Sequence, residues 1–157
     1  MITTALELLF ADGEYLFDLK LPQLAELQEK RGPIFTVYGR VVKGRYIMGD
    51  VGIADTTSGE AFAEDLFETI RLGLIGGSRG LVDGSEVTVT ALTAKTLVER
   101  YCHTRPLKES WAVAAAVLAA KIEGYEPKKD EPAAAPAAEA KPRARRSTSK
   151  RSSATAS

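Results

Sequence analysis

The sequence contains few of the side chains that catalysis and metal binding most often require. It has one cysteine and one histidine. The single cysteine, Cys102, cannot form a disulfide within the chain, which is the usual situation in a reducing compartment. The single histidine, His103, is its neighbour, and two adjacent helical residues cannot both reach one metal ion without strain. We therefore expect no metal site, a buried Cys102 and a surface His103 near a helix end.

A long hydrophobic run and a targeting signal are also lacking. The longest apolar run, residues 111–120, is far short of the ~20 residues that cross a bilayer. The first seven residues contain no basic side chain and already include Glu7, unlike the start of a secretory signal peptide. We therefore expect a soluble, cytoplasmic protein with no membrane contact.

The net charge is zero, yet the two parts of the chain differ in sign. Residues 1–127 carry 13 Lys and Arg against 18 Asp and Glu, whereas residues 128–157 carry 8 against 3. The second segment has no Val, Ile, Leu, Met or aromatic residue, so it cannot bury enough apolar surface to offset the entropy of ordering. We expect one domain over residues 1–127 and a disordered basic tail over residues 128–157.

The basic tail allows two interpretations. It either keeps the protein in solution or contacts nucleic acid through residues such as Arg143, Arg145 and Arg146. Because the tail has no aromatic residue to stack on bases, such a contact would be electrostatic, weak and sensitive to salt.

Residues 4–20 predict a β-hairpin. Apolar and polar residues alternate on both sides of Asp12-Gly13, a dipeptide that favours a type I′ turn because both positions tolerate positive φ. If this dipeptide sets the register, Phe10 faces Tyr15 across the two strands. The large apolar side chains of both strands then share one face, which must pack on another part of the chain.

The remaining apolar residues mostly recur at helical spacing. Residues 34–48 fit either a strand or a helix, and we favour a short helix that ends at Gly44. Trp111 lies in the middle of the apolar stripe of the last helix, which predicts that it is buried. With proline near the first turn and glycine at the C-terminal end as boundary signals, the predicted helices cover residues 22–32, 34–44, a segment ending at 75, 93–103 and 106–124.

Glycine and aspartate mark the connections between these helices. Residues 49–58 have the composition of a loop, and Thr57 with Glu60 has the spacing of a capping box for the helix that follows. A further loop leads from Gly80 to a short extended stretch at residues 87–89. The predicted fold class is α+β, an N-terminal β-hairpin packed on a small bundle of four to five helices, followed by the tail.

One motif matches a catalytic pattern, but the elements predicted on either side of it are not those that the pattern requires. Residues 76–80 fit the G-x-S-x-G pattern of a hydrolase nucleophile, which requires a strand before the serine and a helix after it. Here a helix is predicted before Ser78 and a loop after it. The glycines from Gly73 onward also lack the Gly-Lys-Ser/Thr of a phosphate-binding loop. We expect a turn at Ser78, no cofactor and no enzymatic activity.

The acidic residues offer no clear cation site. Asp50 and Asp55 lack the ligand spacing of a calcium loop. Glu64, Asp65 and Glu68 fall on one helix, and we expect them to form its solvated face.

Three stretches of the sequence, taken together, resemble a known protein family. They are residues 67–77 (FETIRLGLIGG), residues 97–101 (LVERY) and residues 105–112 (RPLKESWA), which runs into an alanine-rich helix. Together with the N-terminal hairpin and the helix that carries Leu24 and Leu27, they resemble the gene transfer agent and phage tail assembly chaperone family, whose members are also labelled tail tube proteins. The resemblance covers roughly residues 5–124 and none of the tail.

The resemblance implies a non-enzymatic role in building a phage-type tail. Members of this family are thought to coat the long helical tape-measure protein and to recruit tail tube subunits, which suits a small domain with amphipathic helices. In the first stretch we take Arg71, Gly73, Gly76 and Gly77 as candidate partner-binding residues. Two alternatives stay open: a structural tail component that is retained in the particle, and an accessory protein that binds nucleic acid through the basic tail.

Overall fold

The computed structural model describes residues 1–48 and 51–127. Its helices are α1 (Leu21–Arg31), α2 (Ile34–Val42), α3 (Ala63–Gly77), α4 (Ala91–Tyr101) and α5 (Leu107–Glu123). Its strands are β1 (Leu6–Phe10), β2 (Gly13–Phe17), β3 (Arg45–Met48), β4 (Val51–Ala54), β5 (Arg79–Val82) and β6 (Ser85–Thr88). The predicted disordered tail lies outside the described residues.

The architecture confirms the predicted α+β class. Strands β1, β2, β5 and β6 form a four-stranded antiparallel sheet in that order, and β3 with β4 forms a separate two-stranded sheet. Helix α3 is central, because it packs against β2, α1, α4 and α5. Among the residues described, no helix has the length and apolar character needed to cross a bilayer.

The N-terminal hairpin forms, but its predicted register is wrong by two residues. Phe10 pairs with Gly13, so the two loop residues are Ala11 and Asp12, and a positive φ of 55° falls on Ala11. A shift of two residues keeps the same side chains on the same face. The rings of Phe10 and Tyr15 therefore still contact each other, diagonally, with centroids 6.1 Å apart.

Close approach of a neighbouring strand explains why residue 13, at the start of β2, is a glycine. A Cβ at this position would collide with the carbonyl oxygen of Leu81 in β5, which pairs with β2. The hydroxyl of Tyr15 donates a hydrogen bond to Asp12 over 2.5 Å, which ties the turn to the strand that follows it.

Helices α1, α2 and α5 form where the sequence predicts them. Gly32 and Gly124, both with positive φ, end α1 and α5. Helix α4 begins two residues before the predicted start, because the Thr90 hydroxyl accepts a hydrogen bond from the Thr93 backbone N–H and caps it there.

The predicted capping box before α3 is wrong. Residues Thr56–Ser58 form a separate 3₁₀ turn, in which the Asp55 carboxylate accepts hydrogen bonds from Thr57 and Ser58. Helix α3 begins later, at Ala63, where the Asp65 carboxylate accepts a hydrogen bond from the Phe62 backbone N–H over 2.9 Å. Asp65 thus acts at the position of a capping-box acid.

Two segments predicted as loops contain strands. Residues 51–54, assigned to a loop, form β4 and pair with β3, whereas residues 49–50 of that loop lie outside the described residues. Residues 79–82, also assigned to a loop, form β5, and β6 includes part of the extended stretch that the sequence predicts. The β5–β6 turn at Asp83-Gly84 has positive φ at both positions, 52° and 79°, as a type I′ turn requires.

The core lies where α3 and α5 meet the inner face of the sheet. Its largest fully buried side chains include Phe17, Leu19, Ile70, Leu74 and Leu118. Trp111 is buried, as predicted, and Cys102 is buried beside an exposed His103. Leu107, which the same stripe includes, is half exposed because it lies in the first turn of α5.

Candidate functional site

Two of the three stretches that carry the family resemblance meet at a surface groove. Helices α3 and α4 pack against each other and, with the end of α1, enclose a groove of about 590 Å³. Phe67 and Arg71 come from the first stretch, and Val98 and Glu99 come from the second. We call this depression the α3–α4 groove.

Apolar side chains form much of its surface. Val98 is buried at its base, and Leu92, in the first turn of α4, is 72% exposed. The ring of Phe67 contacts the imidazole of His103, with ring centroids 4.7 Å apart. Lys95 and Glu99 on α4 are 4.0 Å apart and give the groove a charged rim. An apolar floor with a charged rim is the surface that an amphipathic helix can contact.

Arg71 closes one side of the groove through an ion-pair network between α1 and α3. Its Nη2 lies 2.7 Å from Glu26 Oε2 and 2.7 Å from Glu68 Oε1. Lys30 joins the same two carboxylates at 3.0 and 3.4 Å. The hydrogen bond from Arg71 lowers the pKa of Glu68 and that of Glu26, so both carboxylates stay ionised. The guanidinium of Arg71 is largely committed to these contacts within the fold.

The three candidate glycines lie inside the fold, where they let β2 approach α3. A Cβ on Gly73 would lie 3.1 Å from the ring of Phe17. A Cβ on Gly76 or Gly77 would collide with the carbonyl oxygens of Asp18 and Leu16. The structure thus gives these glycines a packing role. Their contact with a partner stays a prediction.

A buried ion cluster joins α1, α2 and α3, and the sequence did not predict it. Asp65, predicted to be solvated, has no exposed surface. Its carboxylate accepts hydrogen bonds from Arg31 over 2.8 Å and from Arg40 over 2.9 and 2.8 Å. Phe62 covers both guanidinium groups, each 5.6 Å from its ring centroid.

The other two acids of that helix also depart partly from the prediction. Glu64 is exposed, as expected, but Glu68 is half-buried in the Arg71 network. The sequence carried one partial signal for Asp65: an acid in the first turn of a helix can accept a backbone hydrogen bond as a capping-box residue does, but nothing in the sequence indicates its burial.

The remaining candidate nucleophiles have unsuitable surroundings. Ser78 ends α3 with a positive φ of 60° and precedes β5, so helix and strand stand in the reverse of the order that a hydrolase elbow requires. Burial raises the pKa of the Cys102 thiol, which keeps it protonated and unreactive. Within residues 1–48 and 51–127, no group of three His, Cys, Asp or Glu side chains could hold a metal ion.

Comparison of the chain with protein-family models, with curated proteins and with solved structures finds no match in any of the three. The α3–α4 groove therefore has to be interpreted from its own residues and from the sequence resemblance that they carry.

Proposed function

We propose that this protein is a non-enzymatic assembly factor for a phage-type tail, and that it binds the helical tape-measure protein in the α3–α4 groove. The observation that carries the proposal is the convergence of residues 67–77 and 97–101 on one groove with an apolar floor and a charged rim. Recruitment of tail tube subunits belongs to the same proposal and rests on the resemblance alone.

The physical fit is to a partner helix. An amphipathic helix presents side chains at positions i, i+3, i+4 and i+7 to a groove. Leu92 and Phe67 offer apolar contacts, and Lys95 with Glu99 offers charges of both signs at the rim. Since Arg71 is already paired with Glu26 and Glu68, its contribution is to fix the wall of the groove between α1 and α3.

Co-expression of the full chain with a tape-measure protein, followed by pull-down and titration, tests the proposal. The decisive variant is Leu92→Asp, which places a charge among the apolar side chains that line the groove. We expect at least about a tenfold loss of affinity, since ~1.4 kcal/mol corresponds to a factor of ten and central apolar contacts commonly contribute more.

Leu21→Asp is the matched control. Leu21 is 74% exposed and lies in the first turn of α1, as Leu92 lies in the first turn of α4. An acidic residue in the first turn interacts favourably with the helix dipole in both variants, so neither should unfold. Equal binding by the two variants would mean that the groove is not the binding surface.

Two other outcomes would change the assignment. If the protein co-purifies with assembled tails in stoichiometric amounts, it is a retained structural component. If it binds nucleic acid and no tape-measure protein, the accessory role through residues 128–157, with its 8 Lys and Arg, is the better explanation.

A further inference from the structure

The hairpin of β3 and β4, which we call the arm, presents a largely apolar face without charged side chains to solvent. Tyr46 pairs with Ile53, and Met48 pairs with Val51. Residues that pair directly in an antiparallel ladder point to the same side, so these four side chains share one face. Each of them is between 44 and 65% exposed.

The opposite face of the arm is the one that turns towards the body. There the guanidinium of Arg45 lies 5.1 Å from the ring centroid of Trp111, and Ala54 packs against the core. The Asp55 backbone N–H donates to the Gly44 carbonyl over 2.8 Å and closes the base of the arm. Ile47, further out on this same face, is 82% exposed, so the arm extends beyond the body.

An arm of this kind requires a covering layer. Among the described strands, β3 and β4 pair only with each other. An isolated two-stranded hairpin is marginally stable in water, and the apolar face of a sheet is normally buried against another element. Apart from Arg45 at the base of β3, the two strands also contain no charge and no proline, the features that normally prevent exposed strands from associating.

We propose that the arm is a self-association site, in which the Tyr46–Met48–Val51–Ile53 faces of two copies of this chain pack against each other about a twofold axis. A twofold interface uses one patch twice, so the patch must tolerate its own copy. This face carries no charged side chain, hence no like charges meet. The chain as a whole has no net charge, so long-range charge repulsion between two copies does not oppose this contact.

The size of the face sets the strength of the dimer. Because an aromatic side chain carries roughly 200 Å² and Met, Val and Ile are smaller, these four half-exposed side chains offer at most about 400 Å² per copy. Two copies would then bury about 800 Å², below the ~1,200 Å² of stable specific interfaces. The dimer is therefore weak and forms reversibly as the protein concentration rises. This pairing is independent of the α3–α4 groove and of the proposed function.

Sedimentation velocity of the full chain, over the micromolar to submillimolar range, measures the association. We expect the mass to rise from one chain to two with concentration. Met48→Lys should weaken the dimer by at least about tenfold, because it puts a charge from each copy into the shared face. Ile47→Lys is the matched control: it lies on the same strand, is more exposed, and points to the other face. It should change the dissociation constant by less than about twofold.

The control distinguishes packing through one face from nonspecific hydrophobic association. In nonspecific association Ile47→Lys would be the more effective substitution, because Ile47 is more exposed than Met48. Far-UV circular dichroism checks that both variants remain folded. A chain that stays monomeric throughout, or a loss of dimer that is equal in the two variants, overturns the proposal. So does a monomeric chain whose tape-measure binding is abolished by Met48→Lys, since the arm would then be covered by that partner.

Discussion

Arg40 holds Asp65 with two hydrogen bonds, from Nε to Oδ2 over 2.9 Å and from Nη2 to Oδ1 over 2.8 Å. Arg31 donates a third, over 2.8 Å. The carboxylate is fully buried, whereas both guanidinium groups keep some contact with solvent. This single acid therefore joins the ends of α1 and α2 to the start of α3, the helix against which the sheet packs.

Asp65→Asn should destabilise the protein by about 3 kcal/mol, the lower end of the range expected when one partner of a buried ion pair is removed. The amide keeps the shape of the side chain but loses the charge and one acceptor. Glu64→Gln, an exposed acid in the same helical turn, is the control and should change stability by less than about 0.5 kcal/mol. Urea unfolding measures both variants. Equal effects would mean that the cluster does not tie the helices together.

Acid unfolding tests the same cluster in a second way. Burial would raise the pKa of Asp65, but the hydrogen bonds from Arg40 and Arg31 outweigh it and hold that pKa below its ordinary value. The folded state thus favours the ionised form. Its contribution is present above the unfolded-state pKa of about 3.9 and is lost as the pH falls through the lower folded-state value. We expect the difference between wild type and Asp65→Asn to shrink below about pH 4, and a constant difference would contradict this.

Helix positions followed from the sequence more reliably than strand register did. Periodic apolar residues bounded by proline and glycine located α1, α2 and α5 because those signals are local. Asp12-Gly13 and Asp83-Gly84 look alike in sequence, yet only the second forms the turn. The two glycines are used differently: Gly13 lies in β2, where β5 approaches too closely for a Cβ, whereas Gly84 lies in the turn itself with a positive φ.

The arm and the ion cluster show two further limits. Gly49-Asp50 lies between two short apolar runs, a pattern that itself favours a hairpin, so the arm could have been predicted. The exposure of its apolar face could not. Burial of Asp65 was hidden because its partners, Arg31 and Arg40, are distant in sequence and belong to other helices. The sequence shows the two motifs that line the groove, but it does not show that they lie together. That follows only from the packing of α3 on α4.

Gly77→Ala should destabilise the protein, whereas Gly39→Ala should stabilise it. A Cβ on Gly77 would collide with the Leu16 carbonyl and force β2 away from α3, and such overpacking costs about 1–3 kcal/mol. Gly39 is exposed in α2 with nothing near its would-be Cβ, so alanine should add about 0.5–1 kcal/mol of helix stability. Thermal unfolding measures both. A neutral Gly77→Ala would show that β2 can shift without penalty.

Trp111→Ala should lower the free energy of unfolding by about 3–5 kcal/mol. The buried indole fills space under the arm and donates from Nε1 to the Val41 carbonyl over 2.6 Å, so its removal leaves both a cavity and an unpaired acceptor. Leu107→Ala, on the same helix but half exposed, is the control and should cost distinctly less. An unchanged unfolding midpoint for Trp111→Ala would mean that the residue serves a partner and not the core.

The tail should be dispensable for folding and for tape-measure binding. A chain that ends at Pro127 keeps all the described helices and strands, together with the α3–α4 groove and the arm. The removed segment carries 8 Lys and Arg but no large apolar residue, so it can offer a partner Coulomb attraction and little desolvated area. We expect the shortened and full-length chains to unfold at the same temperature and to retain tape-measure protein equally.

Salt separates the contribution of the tail from that of the body. The Debye length falls from ~10 Å at 0.1 M to ~3 Å at 1 M, so attraction through the tail fades, whereas apolar contact in the groove is not screened. Pull-downs of both chains at low and high salt should therefore agree at high salt, and any excess held by the full-length chain should appear only at low salt. If the shortened chain is folded but fails to bind at every salt concentration, the tail is the binding element and the groove proposal is wrong, because Leu92 and its neighbours would then be intact and yet insufficient.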